Sequence, residues 1–510
     1  MKTKDRRASI VLMVYLALCI VYAICLLVPE RILILSPDSI GYLVPALEAI
    51  EKGVFTHHDG RGFPYSLFLM GVFSINQSPE AIVVAQMTVA FLTFVLIAFT
   101  TWLILDFCVR RQLIGFARLL SFSSFWLLVY AVHPLSVLFS RSVLAENLFI
   151  FLLALTILCV VKFWLLDNES NNFRYVYLGG AIFFGVLLSI TKPHWLLAAG
   201  VFPIVLVFVV KESSRWKTVF FLLLLAPVIG LSLYLPERAL QHKYDPYVSK
   251  VFGARSIFCN SADVIYRSLG EAARTGFDTA IWHSLEPVVN RSGSRRPWTT
   301  LGFNGDDCTW STTGELAREH FEGNPSAEAS YYLRTYARAL ISDPMYIPRR
   351  LASQFRMLAQ GFFGSSTSVV RTGVSQLHRP ESNYSILQMW EMNHKSSVEG
   401  TIVTVFSKVE KLLFAIYLAV SLIFLAIFLL SVRAIVLQKT VASVCSDLRR
   451  IYLCLLLLAL GGYLLVAIVH TFDISRYAAM YAPFIVILGS IASAIVFSPG
   501  YRVQGTKNKF

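Results

Sequence analysis

Long apolar runs separated by short polar ones dominate the chain, and charge returns at almost every break. Runs long enough to cross roughly 30 Å of hydrocarbon lie near 9–28, 81–107, 113–131, 143–166, 174–190, 194–210, 217–235, 408–432, 451–470 and 477–497. Each predicts a membrane-spanning helix. Residues 62–75 are apolar but too short to span, and they predict an amphipathic helix lying on the outer membrane surface. The stretch 236–407 breaks the pattern, because polar and apolar positions mix there as in a folded soluble segment. Within it, helical spacing over Ala327–Ile341 ends at Asp343-Pro344, and a second amphipathic helix is predicted over Arg349–Phe362. Turns are predicted at Asn304-Gly305-Asp306-Asp307 and at Glu322-Gly323-Asn324-Pro325. The fold class is therefore a polytopic α-helical membrane protein in three parts. Residues 1–235 form a seven-span bundle with a first external loop at 29–80, 236–407 an external domain, and 408–510 three more spans with a basic tail.

Composition agrees with that class: 56% of residues are hydrophobic and the mean hydropathy is +0.62, beyond what a soluble core requires. The formal net charge is +14, yet residues 236–400 hold 18 Lys and Arg against 16 Asp and Glu and supply only +2 of it. The remainder sits in alternate short loops, from Lys2, Lys4, Arg6 and Arg7 to Arg502, Lys507 and Lys509. That distribution puts both termini in the cytoplasm and 236–407 outside, periplasmic in a bacterial inner membrane. Basicity here reports topology, and nucleic acid is excluded as a partner. The first apolar run is full-length and lacks a small-x-small cleavage pattern, so a retained span is expected in place of a cleaved leader. Of eight cysteines, only Cys259 and Cys308 fall on the outer side, which predicts one disulfide between them.

Charged residues collect where the spans meet the outer water. Asp38 stands in Ser-Pro-Asp-Ser-Ile-Gly-Tyr after the first span, and an acid held against a greasy setting usually has a task. Helix capping ahead of Ile40 is the plainer role for it. After the third span come His133, Arg141 and Glu146; after the fifth, Thr191-Lys192-Pro193-His194-Trp195; after the ninth, His470, Asp473, Arg476 and Tyr477. If 141–147 opens the fourth span as helix, Arg141 and Glu146 stand about 140° apart around its axis and do not face each other. Acids and bases gathered on one face suit a reaction on a phosphate-bearing lipid. Cations such as Arg61, Arg141, Lys192 and Arg476 would hold the phosphate, and a carboxylate would take a proton from an attacking hydroxyl.

The run Asp38-Ser-Ile-Gly-Tyr42, then Gly53-Val-Phe55, then Arg61-Gly-Phe-Pro64-Tyr-Ser-Leu-Phe-Leu resembles the first external loop of membrane glycosyltransferases of the GT-C fold. Similar elements follow at Ser78–Gln86, at Ser140–Phe149 around Glu146, and at Asp473-Ile-Ser-Arg476-Tyr477 through Pro483. Protein O-mannosyltransferases and the bacterial aminoarabinose transferase acting on lipid A are among the relatives it resembles. The resemblance covers about 30–235 and 450–490 and leaves 236–407 unmatched. It departs from the family where Ser39 replaces a second acid and where Arg61-Gly-Phe-Pro64 replaces Lys-Pro-Pro. It implies a polyprenyl-phosphate-linked sugar as donor, membrane lipids around the donor's tail, and a glycan, lipid or protein acceptor. The enzyme would be an inverting hexosyl- or pentosyltransferase with Asp38 as general base. Lys192, Arg476, Arg61 and Arg141 would bind the donor phosphate. Tyr42, Glu146, His194, Asp473 and Tyr477 would line the substrate.

Other motifs are weaker. His57-His58-Asp59 has metal-like composition without a defined partner spacing, and Asp306-Asp307 reads as a turn. No cofactor is required by these residues, and a divalent ion remains compatible with them. Cys259-Asn260-Ser-Ala-Asp263 reads equally as an acceptor contact or a strand end. A ligase or polymerase of lipid-linked glycans shares the outer-face cations and is the alternative function. A secondary transporter fits less well, because the span centres carry almost no charge and the halves are unequal.

Overall fold

A computed structural model describes residues 2–27, 33, 35, 37–110, 116–131, 133, 139–168, 173–209, 214–271, 276–290, 303–309, 312–363, 443–470, 477 and 479–496. Among these residues the regular elements are all helical. Six helices are long and apolar enough to cross a membrane: Ser9–Leu27 within α1 (Lys2–Leu27), α4 (Pro79–Arg110), Glu146–Asp167 within α6 (Glu146–Asn168), α7 (Arg174–Thr191), α9 (Arg215–Tyr244) and Arg450–Ile468 within α17 (Ser443–Val469). Three further expected spans are shorter: α5 (Phe116–Ala131), α8 (Leu196–Val209) and α18 (Ala482–Val496). The tenth, at 408–432, lies outside the described residues.

Lipid gives helices no hydrophobic reason to associate, so packing and polar contacts must hold the bundle. Tyr15 of α1 donates to Ser123 Oγ of α5 at 3.1 Å, and Asn147 Nδ2 of α6 donates to the Gln86 carbonyl of α4 at 2.7 Å. Tyr22, Phe94 and Tyr130 stack between α1, α4 and α5. α18 meets α5 closely because Gly489 leaves room for the Trp126 indole. α9 is the exception: Phe220, Leu223, Val228 and Leu231 are 55–72% exposed, as expected of a helix facing lipid.

Two short helices fill the first loop. α2 (Ile40–Lys52) follows a 3₁₀ turn at Pro37–Ser39, and α3 (Phe63–Phe73) starts with Pro64 in its first turn, where a missing N–H costs nothing. The expected helix at 62–75 is therefore present, with Tyr65, Ser66, Leu69 and Phe73 buried. The Phe63 N–H, unsatisfied by the helix itself, reaches Glu237 Oε2 at 3.2 Å. Glu237 belongs to α9, which runs without a break through the expected boundary at 235/236.

Beyond α9 lies a second core, separate from that of the bundle. It is built by α10 (Val248–Cys259), α11 (Ala262–Glu271), α12 (Phe277–Asn290), α13 (Gly305–Thr309), α14 (Thr312–His320) and α15 (Pro325–Ser342) around Phe258, Ile265, Ile281, Leu285 and Tyr332. The Cys259–Cys308 disulfide is formed, with Cα atoms 5.3 Å apart. Asn324 caps α15 by accepting from Ser326 N and Ala327 N. Two local expectations are corrected. Gly305–Thr309 is a short helix, with only Asn304 left outside it, and Cys259–Asp263 joins two helices, with no strand near it among the described residues. The physical reason is the same for both: the disulfide and Asn260 pack α10 against α13. α16 (Tyr346–Phe363) packs against α17.

Candidate active site

Two ion pairs stand at the end of the bundle nearest the second core. Asp38 lies in the 3₁₀ turn before α2 and Arg61 just ahead of α3. Arg61 Nη2 donates to Asp38 Oδ1 at 2.6 Å, with 24% of the arginine and 29% of the aspartate side chain exposed. Asp38 is thus no isolated charge, and Ser39 is the N-cap of α2. The guanidinium also lies 5.8 Å from the centre of the Tyr42 ring, within cation–π range. Beside this pair, His58 Nδ1 and Asp59 Oδ2 are 3.1 Å apart at the surface. Asp59 raises the His58 imidazole above its ordinary value, and His58 holds Asp59 below its own.

The second pair is buried. Glu146 is the first residue of α6 and Lys192 caps the C-terminal end of α7. Lys192 Nζ donates to Glu146 Oε1 at 3.0 Å, with 6% and 0% of the side chains exposed. Each charge favours its helix end, a carboxylate at an N-terminus and an ammonium at a C-terminus. Residues 141–145 are irregular and do not extend α6, so the expected helical relation of Arg141 to Glu146 does not arise. Arg141 is buried and donates to the Leu26 carbonyl at 2.6 Å, supporting the end of α1.

Aromatic rings close the far side of the lysine. His194 sits in the 3₁₀ turn Pro193–Trp195, 5.2 Å from Tyr477 and 6.2 Å from His470 between ring centres. His470 stacks on Tyr477 at 4.1 Å, and Lys192 Nζ lies 6.0 Å from the Tyr477 ring centre.

Three contacts tie the pairs together. Ser39, next to Asp38, donates to the Val143 carbonyl at 2.8 Å, three residues before Glu146. Gly62, next to Arg61, lies so close to Ile190 that a Cβ would overlap the Ile190 carbonyl, two residues before Lys192. Tyr65 packs edge-on against Tyr42 at 5.0 Å, donates to Gln86 Oε1 at 3.0 Å, and feels the field of Glu146. The geometry therefore brings Asp38, Tyr42, Arg61, Glu146, Lys192, His194, His470 and Tyr477 to one rim of the bundle. Arg141 donates to the Leu26 carbonyl, and Asp473 and Arg476 lie outside the described residues.

Several contacts that matter here were not read from sequence. His57 Nε2 meets Glu237 Oε1 at 3.2 Å, both nearly fully buried, and Gly60 N donates to Asp245 Oδ2 at 3.2 Å. These contacts clamp the first loop onto α9. A lone Glu237 behind Pro236 at the end of an apolar run was the available signal. Among the described residues no group of three or more His, Cys, Asp or Glu side chains is arranged to hold a metal ion.

No family model and no curated protein matches the chain. Among solved structures it is similar to the crystal structure of ArnT from Cupriavidus metallidurans in the apo state, at 14% identity and a TM-score of 0.33. The match covers 96% of this chain and 78% of that one. A likeness of that degree is too slight to transfer a site or an activity.

Proposed function

We propose that the protein is a membrane glycosyltransferase of the GT-C kind. It moves a sugar from a polyprenyl-phosphate donor to a hydroxyl of a cell-envelope glycan, lipid or protein at the non-cytoplasmic rim. The observation that supports this reading is the partly exposed Asp38–Arg61 pair, held against the buried Glu146–Lys192 pair at one end of an apolar bundle. A soluble substrate needs no apolar bundle behind its site, whereas a lipid-linked donor does.

The chemistry follows from charge. Asp38 accepts the proton of the acceptor hydroxyl as that oxygen bonds to the anomeric carbon. The bond from that carbon to the phosphate oxygen breaks, and its electron pair leaves with the phosphate. Protonation cancels the charge of Asp38 at the moment the phosphate gains one. Arg61, released from its partner, is then the nearest uncompensated cation, so the pair exchanges one anion for another without moving. Lys192 adds fixed positive potential from a side chain already immobilised by Glu146. Tyr42, His194 and Tyr477 would face the sugar, and attack opposite the phosphate inverts the anomeric centre. Arg476 and Asp473 would complete the phosphate and acceptor contacts, with both termini in the cytoplasm.

Asp38→Asn tests the reading, because it keeps the shape and most of the hydrogen bonding to Arg61. Transfer from a radiolabelled polyprenyl-phosphate sugar should fall by about 10²–10⁴-fold while the purified protein stays monodisperse. Undiminished turnover would remove Asp38 from the mechanism.

A further inference from the structure

Among the described residues Arg350 is the most completely buried cation outside the site, 2% exposed, while its neighbour Arg349 is 58% exposed and pairs with Asp343. A buried charge is costly unless its donors are met. Among the described residues Arg350 pairs with no carboxylate. Its donors go to neutral oxygens on both sides of a junction. On the second core they reach the Asn260 carbonyl, Ser261 Oγ at 3.3 Å and the Tyr346 hydroxyl at 2.9 Å. On the bundle they reach the carbonyls of Ala467 and His470, each at 3.2 Å. Gln354, one turn further along α16, donates to the same His470 carbonyl at 2.7 Å.

Those two carbonyls lie at the C-terminal end of α17, where a helix leaves its last acceptors unsatisfied and its dipole is negative. A guanidinium suits that place: it meets several acceptors at once in a fixed plane. Its effect is local and directional, because it fixes the backbone at the end of α17. His470 stands at that end, and its imidazole stacks on Tyr477 and faces His194.

We infer that Arg350, with Gln354, is a positioning residue for the active site: it anchors the His470 backbone from the second core and so sets the His470–Tyr477–His194 ring cluster beside Lys192. The kinetic part of this inference rests on the function proposed above, and its structural part does not. It also gives the second core a task. The core holds Asn260 in place through the adjacent Cys259–Cys308 disulfide, and Asn260 in turn holds Arg350.

The test uses the full chain in detergent with two readouts. The first is carbethoxylation of histidines by diethylpyrocarbonate, followed by mass spectrometry. In Arg350→Met, His470 should react about fivefold faster as its anchor opens, while the exposed His283 reacts as before. An unchanged His470 rate overturns the inference. If Arg350→Met does not fold, Gln354→Leu is read on the same label, and an unchanged rate there overturns it equally. The second readout is sugar transfer. Arg350→Lys should lower kcat by about tenfold through misplacement, with donor KM within about twofold, and should retain more activity than Arg350→Met. Combined with His470→Gln, Arg350→Lys should cause no further loss, whereas losses that multiply would overturn the inference. If the purified wild-type chain transfers no sugar, the proposed function fails and the labelling result still decides this one.

Discussion

The two ion pairs of the site look alike in sequence, each an acid and a base far apart in the chain, but their surroundings differ. Asp38 and Arg61 keep about a quarter of their surface in solvent, while Glu146 and Lys192 keep almost none. Water screens the first pair, so it contributes little to stability and can exchange partners when a substrate arrives. The second pair has no such freedom, because removing either member strands a charge in an apolar setting. On the proposed mechanism one pair reacts and the other stays still.

Lys192→Met is the largest test of that difference. It should destabilise the protein by about 3–5 kcal/mol, seen as a lower melting temperature in detergent. Adding Glu146→Gln should recover most of the loss, since the stranded carboxylate is then gone. Gly62→Ala comes next. A methyl group there collides with the Ile190 carbonyl, so about 1–3 kcal/mol of stability should be lost. Transfer should drop with it, as the two pairs are forced apart. Arg61→Ala should cost only about 0–1 kcal/mol yet still impair transfer. Equal destabilisation by Arg61→Ala and Lys192→Met would erase the distinction between the pairs.

The smallest effect is at the neighbouring surface pair. His58 is raised, so its share of stability is full below its ordinary value of 6.5 and is lost as pH climbs through the raised one. Asp59 is lowered, so its share is present above 3.8 and is lost as pH falls through the depressed value. Both side chains are about two-fifths exposed, and screening limits the sum to ~0.5 kcal/mol. Asp59→Asn should flatten that part of a melting-temperature profile against pH.

The difference between the pairs was not legible in the sequence, although their members were. Hydropathy marked the spans, and polar residues at their ends marked Asp38, Arg61, Glu146 and Lys192. Spacing along the chain cannot say which acid meets which base. Glu146 and Lys192 are 46 residues apart and meet only because α6 and α7 pack together. Arg141 was read as one of the outer-face cations, with a helix expected to run from it to Glu146; the 141–145 segment is irregular instead, and Arg141 donates to the Leu26 carbonyl. Arg350 had a readable signal that was missed: with Tyr346 and Gln354 it forms a polar stripe at four-residue spacing on an otherwise amphipathic helix. Asn304–Asp307 carried turn chemistry, but the disulfide at Cys308 favours a helical turn.

The unbroken course of α9 has a mechanical meaning. Thirty residues of helix are about 45 Å long, more than a hydrocarbon slab of roughly 30 Å can cover. The surplus extends past such a slab as an arm that carries Glu237, and with it the clamp on the loop bearing Asp38 and Arg61. A thinner bilayer tilts such a helix; Pro227 and Pro236 within it are the points where it can bend, and the tilt that they do not absorb reaches whatever is fixed at its tip. Membrane thickness is therefore a physical input to the geometry of this loop, and reconstitution into lipids of graded chain length is the way to apply it.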